Sequence, residues 1–328
     1  MIIGVEAANS FVKLKAPGDN EDYYLNTRKE LIAEEEGHLL GEDKEKQTVF
    51  EIDGSRFIVG DPKGVSSTDR SEERYKDKKY KHETLAAVAT QISDGQKVSI
   101  VTGLPADHYK KKYLHDDVIN NLKGNHTVFV DGERKKFNID RVHVMLQPLG
   151  SLMYYIFNFD GTVRKGREHL LKAKILVIDI GFGTTDVVEV DSMQPSESEG
   201  IDVGMINATK FFSTIIKNEF PRINGLPDGL QLDQTMRYKD MIMAGGVEYD
   251  IKEMKNKAYS LTADEILSKV GVKGFNLNQY DLVLFTGGGV EALRDQLKIK
   301  LEGTNARRLE KSQMANAYGY YTYGVIKL

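Results

Sequence analysis

Apolar residues in this chain gather in short runs of β-type spacing broken by glycine-rich and polar turns, and a few stretches carry helical spacing instead. In ILVIDIGFGTTDVVEV, residues 175–190, an apolar run from Ile175 to Ile180 meets a glycine-threonine turn and continues through Val187, Val188 and Val190. The β-branched run after Thr185 has no helix-start pattern, so the spacing predicts a β-hairpin with Asp179 and Asp186 flanking its turn. IIGVEAANSFVKL, residues 2–14, repeats the arrangement: Ile2, Ile3 and Val5 lead to Glu6, small residues run from Ala7 to Ser10, and Phe11, Val12 and Leu14 resume the strand. The register is shared, because Glu6 lies seven residues before Lys13 and Asp179 seven before Asp186.

Two other patterns join a strand to a helix. YDLVLFTGGGVEALRDQLK reads as a strand from about Asp281 to Phe285, a turn at Gly287, Gly288 and Gly289, and a helix with Val290, Leu293, Leu297 and Leu301 on one face. RVHVMLQPLGSLMYYIF gives a strand over Val142–Leu146 and a helix with Pro148 in its first turn and Leu149, Leu152, Met153 and Ile156 on its apolar face; Gln147 sits at the joint. SQMANAYGYYTYGVIKL places Ala315, Ala317 and Gly319 close together, small residues that let a helix approach another backbone, as in packing between lobes. Residues 16–82 mix strand-like pieces, Phe50–Ile52 and Phe57–Val59, with charge-rich loops. RSEERYKDKKYKHE alternates in sign and reads as solvated surface, while SMQPSESEG and NGLPDG read as exposed loops.

Composition narrows the class. At 328 residues with 40% hydrophobic content, the chain exceeds one typical domain and predicts two lobes. Forty-five basic residues nearly balance 49 acidic ones, and a net charge of -4 leaves no footprint for broad nucleic-acid or membrane binding. Contact with DNA is therefore expected to be indirect, with no sequence-specific binding by this chain. The absence of cysteine excludes disulfides and thiol chemistry and fits a reducing compartment. MIIGVEAANS lacks the basic region and apolar core of a signal peptide, and no apolar run is long enough to cross a bilayer, so the expectation is a soluble cytoplasmic protein. The seven histidines show no zinc-like spacing, and Gly161–Arg167 lacks the lysine-Ser/Thr pair of a P-loop.

The turns carry the candidate chemistry. Gly181 and Gly183 remove side chains where a ligand could approach the backbone, and Thr184 and Thr185 add hydroxyls beside exposed N–H groups, a composition that can cradle phosphate. Asp179 would then face the metal or water side of that phosphate, since Mg²⁺ takes oxygen ligands and keeps much of its water shell. A tight hairpin without a ligand is the other reading. The second copy favours two related half-molecules facing one nucleotide across a cleft, with Lys13 supplying positive charge; without the pairing, Lys13 is a surface lysine. The 287–289 turn offers N–H groups and a helix dipole to an anion or to a nucleotide's sugar and α-phosphate, or is a plain helix start. Gln147 can orient an attacking water or cap its helix.

In their order along the chain, the first hairpin, the joint with Gln147, the second hairpin DIGFGTTD, the GGG loop and the small-residue closing helix resemble the actin, heat-shock chaperone and sugar-kinase superfamily. Within it they are most similar to the ParM family of bacterial plasmid-segregation actins. VTGLPADHYKK is similar to that family's strand followed by a leucine-proline pair and a tyrosine, and SQMANAYGYYTYG to its closing helix. The resemblance implies an α/β, two-lobed actin-like fold, each lobe a mixed β-sheet flanked by helices and carrying a smaller subdomain. Lobe I would span 1–150, with a small subdomain at about 16–82, and be completed by a helix at 312–328; lobe II would span 151–311, with a reduced small subdomain at about 205–278.

The resemblance also implies roles. Asn9, Ser10 and Lys13 would belong to the first phosphate loop, and Asp179, Gly181, Gly183, Thr184 and Thr185 to the second. Gly287, Gly288 and Gly289 would hold the adenosine side. Gln147 would position the hydrolytic water, with Glu6 and Asp179 as catalytic carboxylates that also hold Mg²⁺ through water. EYDIKEMKNK is similar to the base-contacting helix of actins, making Lys252 and Glu253 nucleobase candidates, although an exposed charged helix face is the better reading of that pair. The implied activity is ATP hydrolysis, with GTP the second candidate nucleotide. The implied partners are further copies of the chain in a filament and a DNA-binding adaptor protein on a plasmid centromere, with no membrane. Two departures stand out: Glu6 where the family usually has aspartate and Ala8 where it has glycine, which lengthen the carboxylate and stiffen the first loop. Tyr259–Gln279 is also short for a long helical hairpin. A small-molecule kinase of this fold is the alternative, against which the chain shows no obvious sugar loop. A membrane-associated actin-like adaptor is another, against which YTYGVIKL leaves little room for an amphipathic tail.

Overall fold

Near-continuous burial along the N-terminal strands shows a sheet covered on both faces: Ile3, Val5, Val12 and Leu14 are fully shielded, and the alternate positions Glu6, Lys13 and Lys15 are buried too. The computed structural model describes residues 1–31, 48–60, 65–66, 71–227 and 229–328. The parts of the expected small subdomain at 32–47, 61–64 and 67–70, Arg70 of the charged run, and residue 228 of the NGLPDG loop lie outside them. The chain divides into one unit of residues 1–104, 108–163 and 316–328 and another of 105–107 and 164–315.

The first unit holds β1 (Ile2–Ala7), β2 (Phe11–Lys15), β3 (Glu21–Leu25), β4 (Thr27–Glu30), β5 (Val49–Ile52), β6 (Ser55–Val59), β7 (Val65–Ser66), α1 (Lys78–Thr90) and β8 (Gln96–Leu104). After α2 (Ala106–Tyr109) come α3 (Lys112–Leu122), β9 (Gly124–Val130), β10 (Glu133–Leu146) and α4 (Gln147–Ile156). The strands form one sheet in the order β3-β2-β1-β8-β10-β9-β5-β6-β4-β7. It is mixed: β1 runs antiparallel to β2 and parallel to β8, and β8 parallel to β10. Leu85 to Ala89 of α1 pack into the core with Ile3, Val5 and Ile100. The charged run before and through α1 is therefore not a solvated face, since Arg74, Tyr75, Tyr80, His82 and Glu83 are buried. Sign alternation along the sequence says nothing about a helix, whose period carries Tyr80, Glu83 and Thr84 inward together.

The second unit contains β11 (Lys174–Ile180), β12 (Thr185–Asp191), β13 (Gln194–Ile201), α5 (Met205–Glu219), α6 (Gly229–Tyr238), β14 (Met241–Ala244), β15 (Val247–Asp250) and α7 (Lys252–Val272). Then follow β16 (Leu282–Thr286), α8 (Gly288–Ala292), α9 (Arg294–Lys300) and β17 (Ala306–Arg308), and α10 (Ala315–Lys327) returns the chain to the first unit. Its sheet runs β13-β12-β11-β16-β17. The succession of two antiparallel and two parallel pairings repeats that of β3-β2-β1-β8-β10. Leu176, Ile178 and Ile180 pack against Phe212 and Ile216 of α5 and Tyr259 and Ile266 of α7.

Three local expectations change. SMQPSESEG is largely strand, not loop, because Gln194–Ile201 pairs with β12; as an edge strand it tolerates Pro195 and a solvated polar face. EYD ends a strand, and the residues after it form one helix of 21 residues rather than a short base-contacting one. The helix after the glycines breaks at Leu293 (φ -90°, ψ 13°) into α8 and α9, and Leu301 falls beyond it. Among the described residues, no helix is long and apolar enough to cross a membrane.

Candidate functional site

In the first unit, pairing of β1 with β2 sets Glu6 directly opposite Lys13, and Lys13 Nζ donates to Glu6 Oε2 at 2.6 Å. Both side chains are buried. Gln147 Nε2 donates to Glu6 Oε1, and Asn316 Nδ2 donates to the same oxygen at 3.1 Å. A carboxylate can be buried at this depth because its partners replace the water it loses. Gln147 is the first residue of α4, whose N-cap is Leu146 with no side-chain cap, so its side chain does not cap the helix. With the amide nitrogen committed to Glu6, its oxygen is left as an acceptor for a water proton.

Asn316 is the member of this group that the sequence did not mark. It enters from α10 and also accepts from the Ser151 N–H (3.1 Å) and hydroxyl (2.7 Å) of α4. The small-residue stripe around it has a clear purpose: Gly319 lies against the Gly150 backbone, with a β-carbon there falling 2.8 Å from Gly150 Cα. These contacts lie within the first unit. The one usable signal was an asparagine embedded in a stripe that must be buried.

The Ala8–Ser10 turn is held from its carbonyl side. Arg74 donates to the Ala7 carbonyl (2.8 Å) and to Asn9 Oδ1, and the Asn26 backbone N–H donates to the Ser10 carbonyl (2.8 Å). Asn9 thus has its side-chain oxygen engaged by Arg74, and Ser10 is buried. Arg74 lies in the run first read as solvated, and its guanidinium serves this turn.

In the second unit, Asp179 and Asp186 face each other across β11 and β12, both buried, and Asp186 Oδ1 accepts from the Ala106 N–H at 2.8 Å. The turn between them has a definite polarity. Met205 N–H donates to the Gly181 carbonyl (3.1 Å) and Ile206 N–H to the Phe182 carbonyl (2.7 Å), so the first turn of α5 uses the carbonyls. Gly181 N–H closes on the Thr184 carbonyl at 2.9 Å. Among the described residues, the N–H groups of Phe182, Gly183 and Thr184 reach no backbone acceptor. Gly204 permits this docking: a β-carbon there would fall 2.7 Å from the Gly183 carbonyl carbon and the Phe182 oxygen. Gly204 was not foreseen, because its need for a missing side chain arises only from a turn distant in sequence. Thr185 is corrected from phosphate donor to strand residue: it is fully buried, and its hydroxyl donates to the Val203 carbonyl at 2.8 Å.

β16 runs parallel to β11 with Thr286 beside Asp179, which brings the glycines to the same place. Gly287 has φ +89°, and a β-carbon there would meet Asp179 Oδ1 and the Ile180 carbonyl; only glycine fits. Gly289 packs on Ile180, and the Gly288 carbonyl accepts from Arg237 Nη1 at 2.7 Å. Asp233 holds Arg237 Nε at 2.7 Å; burial pushes its carboxyl above the ordinary aspartate value, and Arg237 opposes that rise. Beside them lies a pocket of about 240 Å³ whose walls include Arg237, Lys255, Asn256, Tyr259, Glu291 and Asp295. Burial, with Asp233 nearby, raises the Tyr259 hydroxyl far above its usual value. Lys252 and Glu253 are exposed in the first turn of α7 and do not line this pocket.

Among the described residues, no group of three or more histidine, aspartate or glutamate side chains could hold a metal by itself. A cation held by one carboxylate, phosphate oxygens and water is the arrangement Mg²⁺ favours. Asp179, next to the open N–H groups, suits it. Glu6 does so less well, since Lys13, Gln147 and Asn316 already occupy its oxygens.

Residues 18–150 match the family model for the N-terminal domain of actin like proteins, and residues 177–299 match that for the C-terminal part of the archaeal actin homologue MreB-like family. No curated protein matches in sequence. Among solved structures, the archaeal actin homolog Ta0583 in complex with ADP is similar with a TM-score of 0.77 at 19% identity, over 98% of this chain and 97% of its own. The apo pSK41 ParM protein is similar with a TM-score of 0.73 at 20% identity, over 99% and 97%. A 15-stranded ParM filament from Clostridium botulinum gives 0.75 at 19% identity, over 98% of each chain. At these identities the likeness is one of fold.

Proposed function

From the premise that this chain is an actin-like protein, with an actin-like N-terminal and an MreB-like C-terminal domain, we propose that it is a nucleotide-dependent, filament-forming ATPase that drives plasmid DNA segregation. The observation that carries this reading is the 181–184 turn: its Gly181 and Phe182 carbonyls accept from the first turn of α5 and its Thr184 carbonyl from the Gly181 N–H, and its remaining N–H groups are open beside Asp179 and Gly287. Such a row of donors suits a phosphate chain, because it stabilises anionic oxygens without reorganising. When bound, Mg²⁺ held at Asp179 would neutralise part of the phosphate charge. The pocket beside Gly288 would take the nucleobase, with Arg237, Asn256 and Tyr259 in the place expected of Lys252 and Glu253.

Hydrolysis needs a positioned water. In this reading Gln147 supplies the acceptor that orients it, and Glu6, fixed by Lys13 and Asn316, keeps the Gln147 amide turned the right way. Glu6 therefore acts as a positioning residue and not as the base. Filament assembly, cytoplasmic location and a DNA-binding adaptor on a plasmid centromere complete the proposal; their support is the likeness to ParM proteins, one of them solved as a filament.

The test is pelleting and light scattering with Mg²⁺-ATP or Mg²⁺-GTP, alongside phosphate release. Nucleotide-triggered pelleting followed by phosphate release and disassembly is expected, with Asp179→Ala losing both. Gln147→Ala should bind nucleotide normally while releasing phosphate on the order of 100-fold more slowly. Turnover by Gln147→Ala at the wild-type rate would remove that residue from the mechanism.

A further inference from the structure

Two turns in this chain present N–H groups with their carbonyls held behind, and different elements do the holding. At 181–184 the backbone N–H groups of α5 donate to the Gly181 and Phe182 carbonyls; around Ala8–Ser10 none of the described helices donates a backbone N–H. We infer that Asn26 and Arg74 are positioning residues for phosphate binding: their side chains turn the carbonyls of the first turn away and leave its N–H groups to an anion, with buried Glu83 fixing Asn26. This inference rests on the nucleotide reading above and names what makes the first turn fit for it.

Asn26 lies between β3 and β4 and is buried. Its backbone N–H donates to the Ser10 carbonyl at 2.8 Å. Its side-chain Nδ2 donates to the Ala8 carbonyl and, at 3.1 Å, to Glu83 Oε2 of α1. Both amide protons are therefore committed, and a reversed amide would set its oxygen against a carbonyl and a carboxylate. Arg74 donates to the Ala7 carbonyl at 2.8 Å and to Asn9 Oδ1. Its guanidinium lies over the Tyr80 and Tyr75 rings, 5.4 and 5.7 Å from their centroids, so the arginine is itself held in place.

The planar peptide bond turns these contacts into a direction. The Ala8 carbonyl and the Asn9 N–H belong to one trans peptide group and point opposite ways, so the bond from Asn26 sets where the Asn9 N–H points. Ala8 N–H closes on the Phe11 carbonyl at 3.1 Å, and among the described residues the N–H groups of Asn9 and Ser10 reach no backbone acceptor. Arg74 also draws the Asn9 side-chain oxygen aside, which keeps an acceptor from competing for those donors. Adjacent N–H groups of this kind are the concavity that binds phosphate oxygens.

Glu83 belongs to the same device. It is 2% exposed, and an apolar residue there would pack α1 at less cost than a buried carboxylate does. An apolar residue would not accept from Asn26 and so would leave the amide free to turn. The chain from Glu83 through Asn26 to the Ala8 carbonyl thus ties the setting of the first turn to α1, and Arg74 ties it to the segment just before that helix.

Calorimetric titration of the full chain with Mg²⁺-ADP or Mg²⁺-GDP, whichever binds the wild type, and with the matching nucleoside separates recognition of phosphate from that of the base. Asn26→Asp keeps the shape but sets a carboxylate against the Ala8 carbonyl and Glu83. It should lower the melting temperature and weaken diphosphate binding about tenfold or more, with nucleoside binding within about twofold of wild type. Adding Glu83→Gln gives the new carboxylate a donor and should restore most of the melting temperature but not the diphosphate affinity. Arg74→Lys keeps the charge, loses the two-pronged contact and should weaken diphosphate binding about threefold or more in a folded chain. Affinity that returns with the melting temperature in the double variant, or wild-type diphosphate binding by both Asn26→Asp and Arg74→Lys, makes these groups structural only and overturns the inference, with the nucleotide reading left standing. A wild-type chain that binds neither diphosphate overturns both.

Discussion

Replacing Lys13 by methionine isolates the energetic core of the proposed hydrolytic centre. The substitution keeps the apolar stem and removes the ammonium 2.6 Å from Glu6, where both side chains are over 90% shielded from water. Gln147 and Asn316 still donate to the carboxylate, but a buried charge loses its counterion, which costs about 3–5 kcal/mol. In a unit of this size each kcal/mol moves the melting temperature by about 2–4 °C, so the first unit should melt about 6–20 °C lower. Lys174–Glu189 is the control: its lysine is 41% exposed, and Lys174→Met should cost less than about 1 kcal/mol. Adding Glu6→Gln to Lys13→Met should recover most of the loss, because a neutral amide needs no counterion. Calorimetry without nucleotide, supported by circular dichroism because the chain has no tryptophan, follows the transition. Lys13→Met melting within about 2 °C of wild type, or no recovery in the double variant, would refute the argument that this pair is energetically coupled.

Other outcomes follow from the same unit. Gly319→Ala pushes a β-carbon into the Gly150 backbone and should destabilise by about 1–3 kcal/mol or more, read from urea denaturation; a wild-type midpoint would show that α10 can shift without cost. Burial holds His82, His126 and His143 below the ordinary histidine value of 6.5, against an upward pull on His82 from Asp53 and with Arg28 and Lys81 adding to the fall. The unfolded chain therefore takes up protons first, and stability present above about pH 6.5 is lost as pH falls toward the lower folded values. Melting should drop between about pH 7 and pH 5, and His82→Gln should flatten part of that slope; an unchanged slope would exclude His82 as a contributor.

Much of this architecture was legible because it rests on local signals. The hairpins around Glu6 and Asp179 follow from strand runs and small-residue turns, and the shared spacing became a shared cross-strand pairing, Glu6 with Lys13 and Asp179 with Asp186. What escaped was contact-dependent. Asn316, Arg74 and Gly204 matter through partners far away in sequence, and nothing in their own neighbourhoods announces those partners. Thr185 failed in the opposite way: its composition suggested a phosphate donor, but the strand register buries it against Val203. EYDIKEMKNK is not one element, because pairing with β14 ends at Asp250 and frees the helix to start at Lys252.

The bond between Asn316 and Glu6 spans 310 residues and fixes an order of events during synthesis. The second unit, nearly continuous from residue 164 to 315, can close as soon as it emerges. The first unit waits for a helix that arrives after it. At about 5–20 residues per second, Glu6 is made roughly 15–60 s before its asparagine partner. Throughout that interval the nascent chain carries a carboxylate without its full set of donors and a sheet without the helix that covers Gly4 and Gly103. A helix translated after the rest of the first unit is thus the one that seals the proposed hydrolytic group, so a chain stalled before Asn316 lacks that group in finished form.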